Sequence, residues 1–223
     1  GMPRVRPLAT YYAPQGDFEL KTSFIKEPPQ LFVTTNLLLT LSERSLEVDG
    51  GFALLPESEK LFAFDFNLPE GWNVDNVRTA DGSPLSFQRY SDDGGGGGSR
   101  VRVQLFSGLE PRTTLNVLFH ATLSPDDWLS DWTEQTVSLP VIAIKKSAAV
   151  HESGAVAVRA LHDLSVRSAD SSGLIVIGDN EKNKFGFSDV PTNLAWRYSE
   201  EDWQGSLRVT RTAPRMSSRI LSF

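Results

Sequence analysis

Leu61-Phe62-Ala63-Phe64-Asp65-Phe66 places three phenylalanines at every second position. Successive side chains of a strand point to opposite faces, so this spacing puts Phe62, Phe64 and Phe66 together on one face. The same period returns in Arg100–Phe106, where Val101, Val103 and Leu105 oppose Arg100, Arg102 and Gln104. It returns again in Thr114–Leu123, which aligns Leu115, Val117, Phe119 and Ala121. Three strands, each with a face to bury, predict one dry layer between sheets. If that layer is the core, Phe64→Ala costs about 3–5 kcal/mol.

Turn chemistry divides the runs. Leu68-Pro69-Glu70-Gly71 and Asp81-Gly82-Ser83-Pro84 combine Pro, Asp and Gly in the manner of tight turns. Asp49-Gly50-Gly51 reads as a hairpin turn between Ser45–Val48 and Phe52–Leu55. Asp92–Ser99, with five consecutive glycines, reads as the tip of a hairpin joining Leu85–Tyr90 to Arg100–Phe106. Ser124-Pro125-Asp126-Asp127 has a capping Ser, a Pro at the first helical position and acids in the first turn. With Trp128, Leu129 and Trp132 at helical spacing, it predicts one short helix over 124–136. Strand signals resume in Thr136–Ile144, Gly154–Ala160, Leu164–Arg167, Asn193–Tyr198 and Ser206–Thr212. Leu174–Ile177 is continuously apolar, which predicts burial on both faces. Short strands with turns every 8–12 residues give an all-β fold. The reading is two antiparallel β-sandwich-like halves, 17–123 and 137–212, joined by a short helical junction at 124–136 and followed by a tail at 213–223.

Composition narrows the function classes. A chain of 223 residues is long enough for one large or two small domains. It can bury about 70% of its unfolded surface, so it needs no disulfide or metal to hold a core. There is no cysteine, which excludes disulfides, thiol catalysis and zinc-thiolate sites. A net charge of −6 argues against nucleic acid, whose phosphates demand clustered Lys and Arg. No stretch reaches the ~20 apolar residues of a membrane span. Gly1 before Met2 is expected of a scar from tag removal, and suggests a fragment of a longer protein.

The order of motifs carries a resemblance. Leu68-Pro69-Glu70-Gly71-Trp72-Asn73-Val74-Asp75-Asn76-Val77 precedes Asp81-Gly82. The strand pair Arg100–Phe106 and Thr114–Thr122 follows, then Ser138-Leu139-Pro140-Val141 and Glu152-Ser153-Gly154-Ala155-Val156-Ala157-Val158. Ala195-Trp196-Arg197-Tyr198 and Leu207-Arg208-Val209-Thr210-Arg211 close the series. Over roughly residues 31–214 this resembles interior β-domains of large, uncharacterised bacterial envelope proteins. The resemblance implies an extracytoplasmic or periplasmic segment of a bigger chain, and brings no catalytic residues with it.

No catalytic constellation stands out. Gly94–Gly98 is not followed by the Lys-Ser/Thr of a P-loop or by a helix, so a flexible loop is the better reading. His120, His151 and His162 lack the i, i+4 spacing of a helical metal site, and no metal or cofactor is expected. No Gly-x-Ser-x-Gly elbow is present. The adjacent acids Asp92-Asp93, Asp126-Asp127 and Glu200-Glu201-Asp202 suit solvated turns, and Asp179-Asn180-Glu181 lacks the spacing of a calcium loop. The tryptophans are the remaining candidates, because an exposed indole can stack on a sugar or anchor a partner. Trp72, beside a Pro-Gly turn, and Trp203 are the candidate ligand-binding residues, whereas Trp128, Trp132 and Trp196 suit packing.

The resulting expectation is a non-catalytic structural or protein-interaction β-module of a larger envelope protein. Its partners would be neighbouring domains of the same chain or another envelope protein. A carbohydrate-binding β-sandwich using Trp72 or Trp203 is the first alternative. A hydrolase with a site assembled from distant residues is the second, and would need a cleft that brings a histidine to carboxylates.

Overall fold

The computed structural model describes residues 12, 16, 19, 21, 30–42, 44–91, 98–125, 134–145, 150–161, 163–188, 190–200 and 202–211. The fold is all-β. The strands are β1 (Leu31–Leu41), β2 (Leu46–Pro56), β3 (Leu61–Leu68), β4 (Asn73–Thr79), β5 (Phe87–Ser91), β6 (Ser99–Leu109), β7 (Leu115–Leu123), β8 (Glu134–Ser138), β9 (Val150–Ala160), β10 (Leu164–Ser172), β11 (Ile175–Val176), β12 (Leu194–Tyr198) and β13 (Gln204–Arg211). Among the described residues one four-residue α-helix, α1 (Asp179–Lys182), precedes β12.

Three sheets form. The largest has the order β11-β12-β9-β1-β2-β7-β4, and the two smaller ones β3-β6-β5 and β10-β13-β8. One face of the large sheet packs against both small ones in a single core. Phe52 and Phe119 of the large sheet meet Phe64 and Phe66 of β3, with Phe52–Phe66 and Phe66–Phe119 ring centres 5.2 Å apart. At the other end Tyr198 of β12 meets Trp203, at 5.3 Å. Residues 139–145 stitch the small sheets together: Leu139 N–H donates to Gly205, while Asn67 N–H donates to Ala143 and Lys145 N–H to Asp65 across the β3 edge.

The stripes Val101-Val103-Leu105 and Val117-Phe119-Ala121 are buried as their alternation predicts, and so are Phe64 and Phe66. Several expectations are corrected. Phe62 is 59% exposed, because a register shift between Leu61 and Ala63 in the β3–β6 pairing takes it off the core face. Asp49-Gly50-Gly51 is not a turn. It lies in the middle of β2, and the hairpin closes instead at Ser42–Ser45, where Ser42 N–H donates to Ser45 O at 3.0 Å. A Cβ on Gly50 would sit 2.2 Å from Cζ of Phe119, so glycine here makes room for a core ring. Ile175 and Val176 are exposed rather than buried on both faces, since β11 is a two-residue edge strand.

The halves do not form separate sheets. β9 and β12, from the predicted C-terminal half, continue the sheet of β1, β2, β7 and β4. The joint is the β1–β9 pairing, which is parallel, whereas every other strand pairing among the described residues is antiparallel. Gly154 permits this contact, because a Cβ there would fall 1.9 Å from the Thr35 carbonyl oxygen. The short helix expected at 124–136 falls largely at 126–133, outside the described residues, and residues 134–136 already belong to β8. The glycine-rich tip at 92–97 and the tail at 213–223 are likewise outside them, although Ser91 pairs with Ser99 across that tip.

Candidate functional site

Among the described residues, the second face of the large sheet is only half covered. Residues 177–188 and 190 fold over its β1–β9–β12 part, where Ile177 and Phe187 pack on Leu38, Ala155, Ala157 and Ala195. The alanines leave the depth that the Phe187 ring fills. Beyond that cover the described residues leave a trough of about 580 Å³ over β1, β2, β7 and β4.

Strand register lays out the trough floor as a grid. Thr34, Ala53 and Asn116 form one row across β1, β2 and β7. Asn36, Gly51, Leu118 and Arg78 form the next, and Leu38, Asp49, His120 and Asn76 the third. Along β2 the outward residues are therefore Asp49, Gly51 and Ala53, so the floor sinks where Gly51 and Ala53 carry little side chain. Phe185, Phe187 and Val190 wall one side; Leu118, Arg78 and His120 stand on the other.

His120 is on this face because it alternates with the buried Phe119. Its Nδ1 lies 2.9 Å from Oδ1 of Asp49, and its Nε2 lies 3.7 Å from Oδ2 of Asp75. With a carboxylate at each ring nitrogen, neither nitrogen is directed at a hydroxyl nucleophile. Arg78 makes no ion pair among the described residues. The trough thus has an acidic end held by His120, a cationic flank and an apolar wall. That arrangement suits an adaptable contact surface.

The tryptophan candidates are corrected. Trp72 is 4% and Trp203 2% exposed, so both indoles belong to the core and neither can stack on a sugar. Trp203 is fixed by Tyr198 and by Gly173, where a Cβ would come within 3.1 Å of the Trp203 Cα. Trp196 is buried as expected, while Trp128 and Trp132 lie outside the described residues. His151 stacks on Phe32 with ring centres 5.1 Å apart, and His162 lies outside the described residues. Among the described residues no group of three or more His, Cys, Asp or Glu is placed to hold a metal ion. Asp179-Asn180-Glu181 forms the start of α1, with Asp179 paired to Lys182 at 2.9 Å. Asp81, in the turn after β4, accepts hydrogen bonds from the Thr79 hydroxyl and the Ser83 N–H. These hold its carboxyl below the ordinary aspartate value, the Thr79 bond contributing most.

One buried carboxylate gave no signal in the sequence. Glu152 is 5% exposed. It accepts the Thr35 hydroxyl at 2.6 Å and the Ile144 N–H at 3.0 Å. It therefore ties β9 to β1 and to the segment that links the small sheets, which is a structural role.

No family model matches the chain, and no curated protein matches it. Among solved structures, an M1 zinc metallopeptidase from Deinococcus radiodurans bound to a Tyr-Ser-Ala substrate overlays with a TM-score of 0.46 and 13% identity, over 81% of this chain and 42% of that one. Native leukotriene A4 hydrolase from Saccharomyces cerevisiae overlays with a TM-score of 0.41 and 17% identity, over 81% and 29%. This chain spans less than half the length of either, and no activity transfers across so loose an overlay. No helix among the described residues is long and apolar enough to cross a membrane.

Proposed function

We propose that this chain is a non-catalytic interaction β-module of a larger extracytoplasmic envelope protein, and that the trough is where a neighbouring domain or a second envelope protein docks. The observation that carries this reading is the open half of the large sheet's outer face. Among the described residues, this seven-stranded sheet has the middle of its inner face buried and its outer face covered only under residues 177–188 and 190. What stays open combines a low Gly51–Ala53 floor, an aromatic wall and fixed charges, and the burial of such a surface is a source of binding energy.

The hydrolase alternative draws on one observation, the grouping of His120 with Asp49 and Asp75. It is the weaker reading, because both ring nitrogens face carboxylates. A photo-crosslinking side chain in place of Asn116 or Leu118, within the parent protein, tests the proposal. Crosslinks to a neighbouring domain or to one envelope partner are expected. Absence of crosslinks, together with turnover of a hydrolase panel that His120→Ala abolishes, would reverse the order of the two readings.

A further inference from the structure

Leu174-Ile175-Val176-Ile177 is continuously apolar, yet Ile175 is 52% and Val176 75% exposed. β11 ends the large sheet, and the pairs Ile175–Arg197 and Val176–Trp196 fix its register on β12. Ile177 N–H donates to Ala195 O at 3.1 Å, so residue 177 continues the ladder. In an antiparallel pair, hydrogen-bonded and non-hydrogen-bonded positions alternate. Ile175 and Ile177 are therefore bonded to β12, while the Val176 N–H and C=O point the other way, to the open edge. Neither group has a partner among the described residues.

Among the described residues every other sheet edge is blunted. β4 meets the backbone of residues 83–85, where Leu85 N–H donates to Val77 O and Thr79 N–H to Ser83 O, each at 2.9 Å. β3 meets residues 143–145 in the same way. β10 is broken by a bulge between Ser168 and Asp170, and β5 and β8 carry Arg89 and Glu134. Such devices are expected, because a bare row of N–H and C=O groups templates a further strand. Residues 173–178 hold no charge and no proline, and the β11–β12 register is unbroken. The charges around them are already paired: Arg197, beside Ile175, with Glu181 at 4.0 Å, and Asp179, just past the run, with Lys182 at 2.9 Å.

From this geometry we infer that β11 pairs with β11 of a second copy of this chain, antiparallel about a two-fold axis at Val176. Val176 then exchanges both of its outward hydrogen bonds with the second copy's Val176. Ile175 lies opposite the second copy's Ile177, and Leu174 opposite its Gly178. The run is its own complement: apolar side chains meet apolar ones, donors meet acceptors, and the two Asp179 residues fall at opposite ends. A strand of another sequence would meet the same backbone groups, but the symmetry of the run about Val176 selects its own copy. The pairing also covers the side chains that the continuous apolar run predicts to be buried. Ile175, Val176 and Ile177 make a small contact, which gives a dimer in exchange with monomer rather than a permanent one.

Sedimentation velocity of the 223-residue chain, from micromolar to millimolar concentration, tests this. A dimer fraction that grows with concentration is expected. Val176→Lys sets like charges opposite each other across the axis and should weaken dimerisation about tenfold or more, with Tm nearly unchanged because the side chain is exposed. In a chain with no cysteine, Val176→Cys should give a disulfide-linked dimer on mild oxidation, since the Cα atoms of a hydrogen-bonded antiparallel pair lie about 5.5 Å apart. Ile175→Cys, set opposite Ile177 rather than its own equivalent, should link at a small fraction of that yield. A monomer at every concentration, a dimer that Val176→Lys leaves intact, or equal crosslinking at 175 and 176 would overturn the inference. Should Val176→Lys lose its fold, hydrogen exchange of the unaltered chain decides. Protection of the Val176 amide that rises with concentration supports the pairing, and unchanged protection refutes it.

Discussion

Gly50→Ala distinguishes a glycine in a turn from a glycine under a ring. In a turn with open space, alanine would be nearly neutral. In β2 the new Cβ would lie 2.2 and 2.4 Å from Cζ and Cε1 of Phe119, and 3.0 Å from a Leu37 methyl. Phe119 cannot swing aside, because Phe52 and Phe66 flank it at 5.2 Å. Overpacking of this kind costs about 1–3 kcal/mol. Loss of glycine's freedom in the unfolded chain offsets about 0.4–1 kcal/mol of it. A net loss of about 1–2 kcal/mol remains, which for a chain of this size lowers Tm by about 2–8 °C. Gly51→Ala is the internal control. Its Cβ points to the outer face, meeting a Leu118 methyl at 3.0 Å and the Val117 carbonyl at 3.2 Å. The Leu118 methyl can yield, so this variant should lose less than half as much. Thermal melts of the two variants, with Gly50→Ala/Phe119→Leu as a relief variant, complete the experiment. Equal effects at 50 and 51, or a neutral Gly50→Ala, would refute the strand assignment and the aromatic layer with it.

Phe64→Ala should cost about 3–5 kcal/mol in denaturant melts, whereas Phe62→Ala should stay within about 0.5 kcal/mol, since only the former opens a core cavity. Glu152→Ala leaves the Thr35 hydroxyl and the Ile144 N–H without their acceptor, and should cost about 1–3 kcal/mol; a neutral result would remove Glu152 from the ties between β9, β1 and residues 139–145. The Asp81 carboxyl has a folded-state pKa depressed by Thr79 and Ser83, so its contribution to stability is present above the unfolded aspartate pKa and is lost as pH falls through the folded one. A carboxyl-detected NMR titration should place it below an unfolded reference, and Thr79→Val should move it back up.

Period-two alternation made β6 and β7 legible, because each buries one face and leaves the other in water. It made His120 legible as an outward residue by the same reasoning. What it could not carry was anything set by a distant strand. Gly50 and Gly51 look like a turn until Phe119, from β7, is seen to need the space. Phe62 belongs by period to the core stripe, and only the pairing of β3 with β6 reveals the bulge that ejects it. Trp72 and Trp203 sit beside glycines and acids, yet tertiary packing buries both. The trough is the extreme case. Its rows combine residues of β1, β2, β7 and β4, and its wall comes from Phe185, Phe187 and Val190, so no local window contains it. Thr35 and Glu152 meet across 117 residues of sequence for the same reason. Splitting the chain at 124–136 followed the local break in pattern, but the sheet continues across it through β1 and β9.

That continuity builds the trough, since two separate sandwiches would bring no cover from residues 177–188 and 190 over β1. A paired-cysteine crosslink tests it directly in a chain with no cysteine of its own. Asn36 and Ala155 are register partners on β1 and β9. Disulfides form between residues whose Cα atoms lie about 4.4–6.8 Å apart, within reach of neighbouring strands. In Asn36→Cys/Ala155→Cys, mild oxidation of the folded protein should give a quantitative internal disulfide that holds the two halves together after proteolysis at 124–136. Free thiols after oxidation, or halves that separate as independently folded fragments, would contradict the single sheet and the docking surface drawn from it.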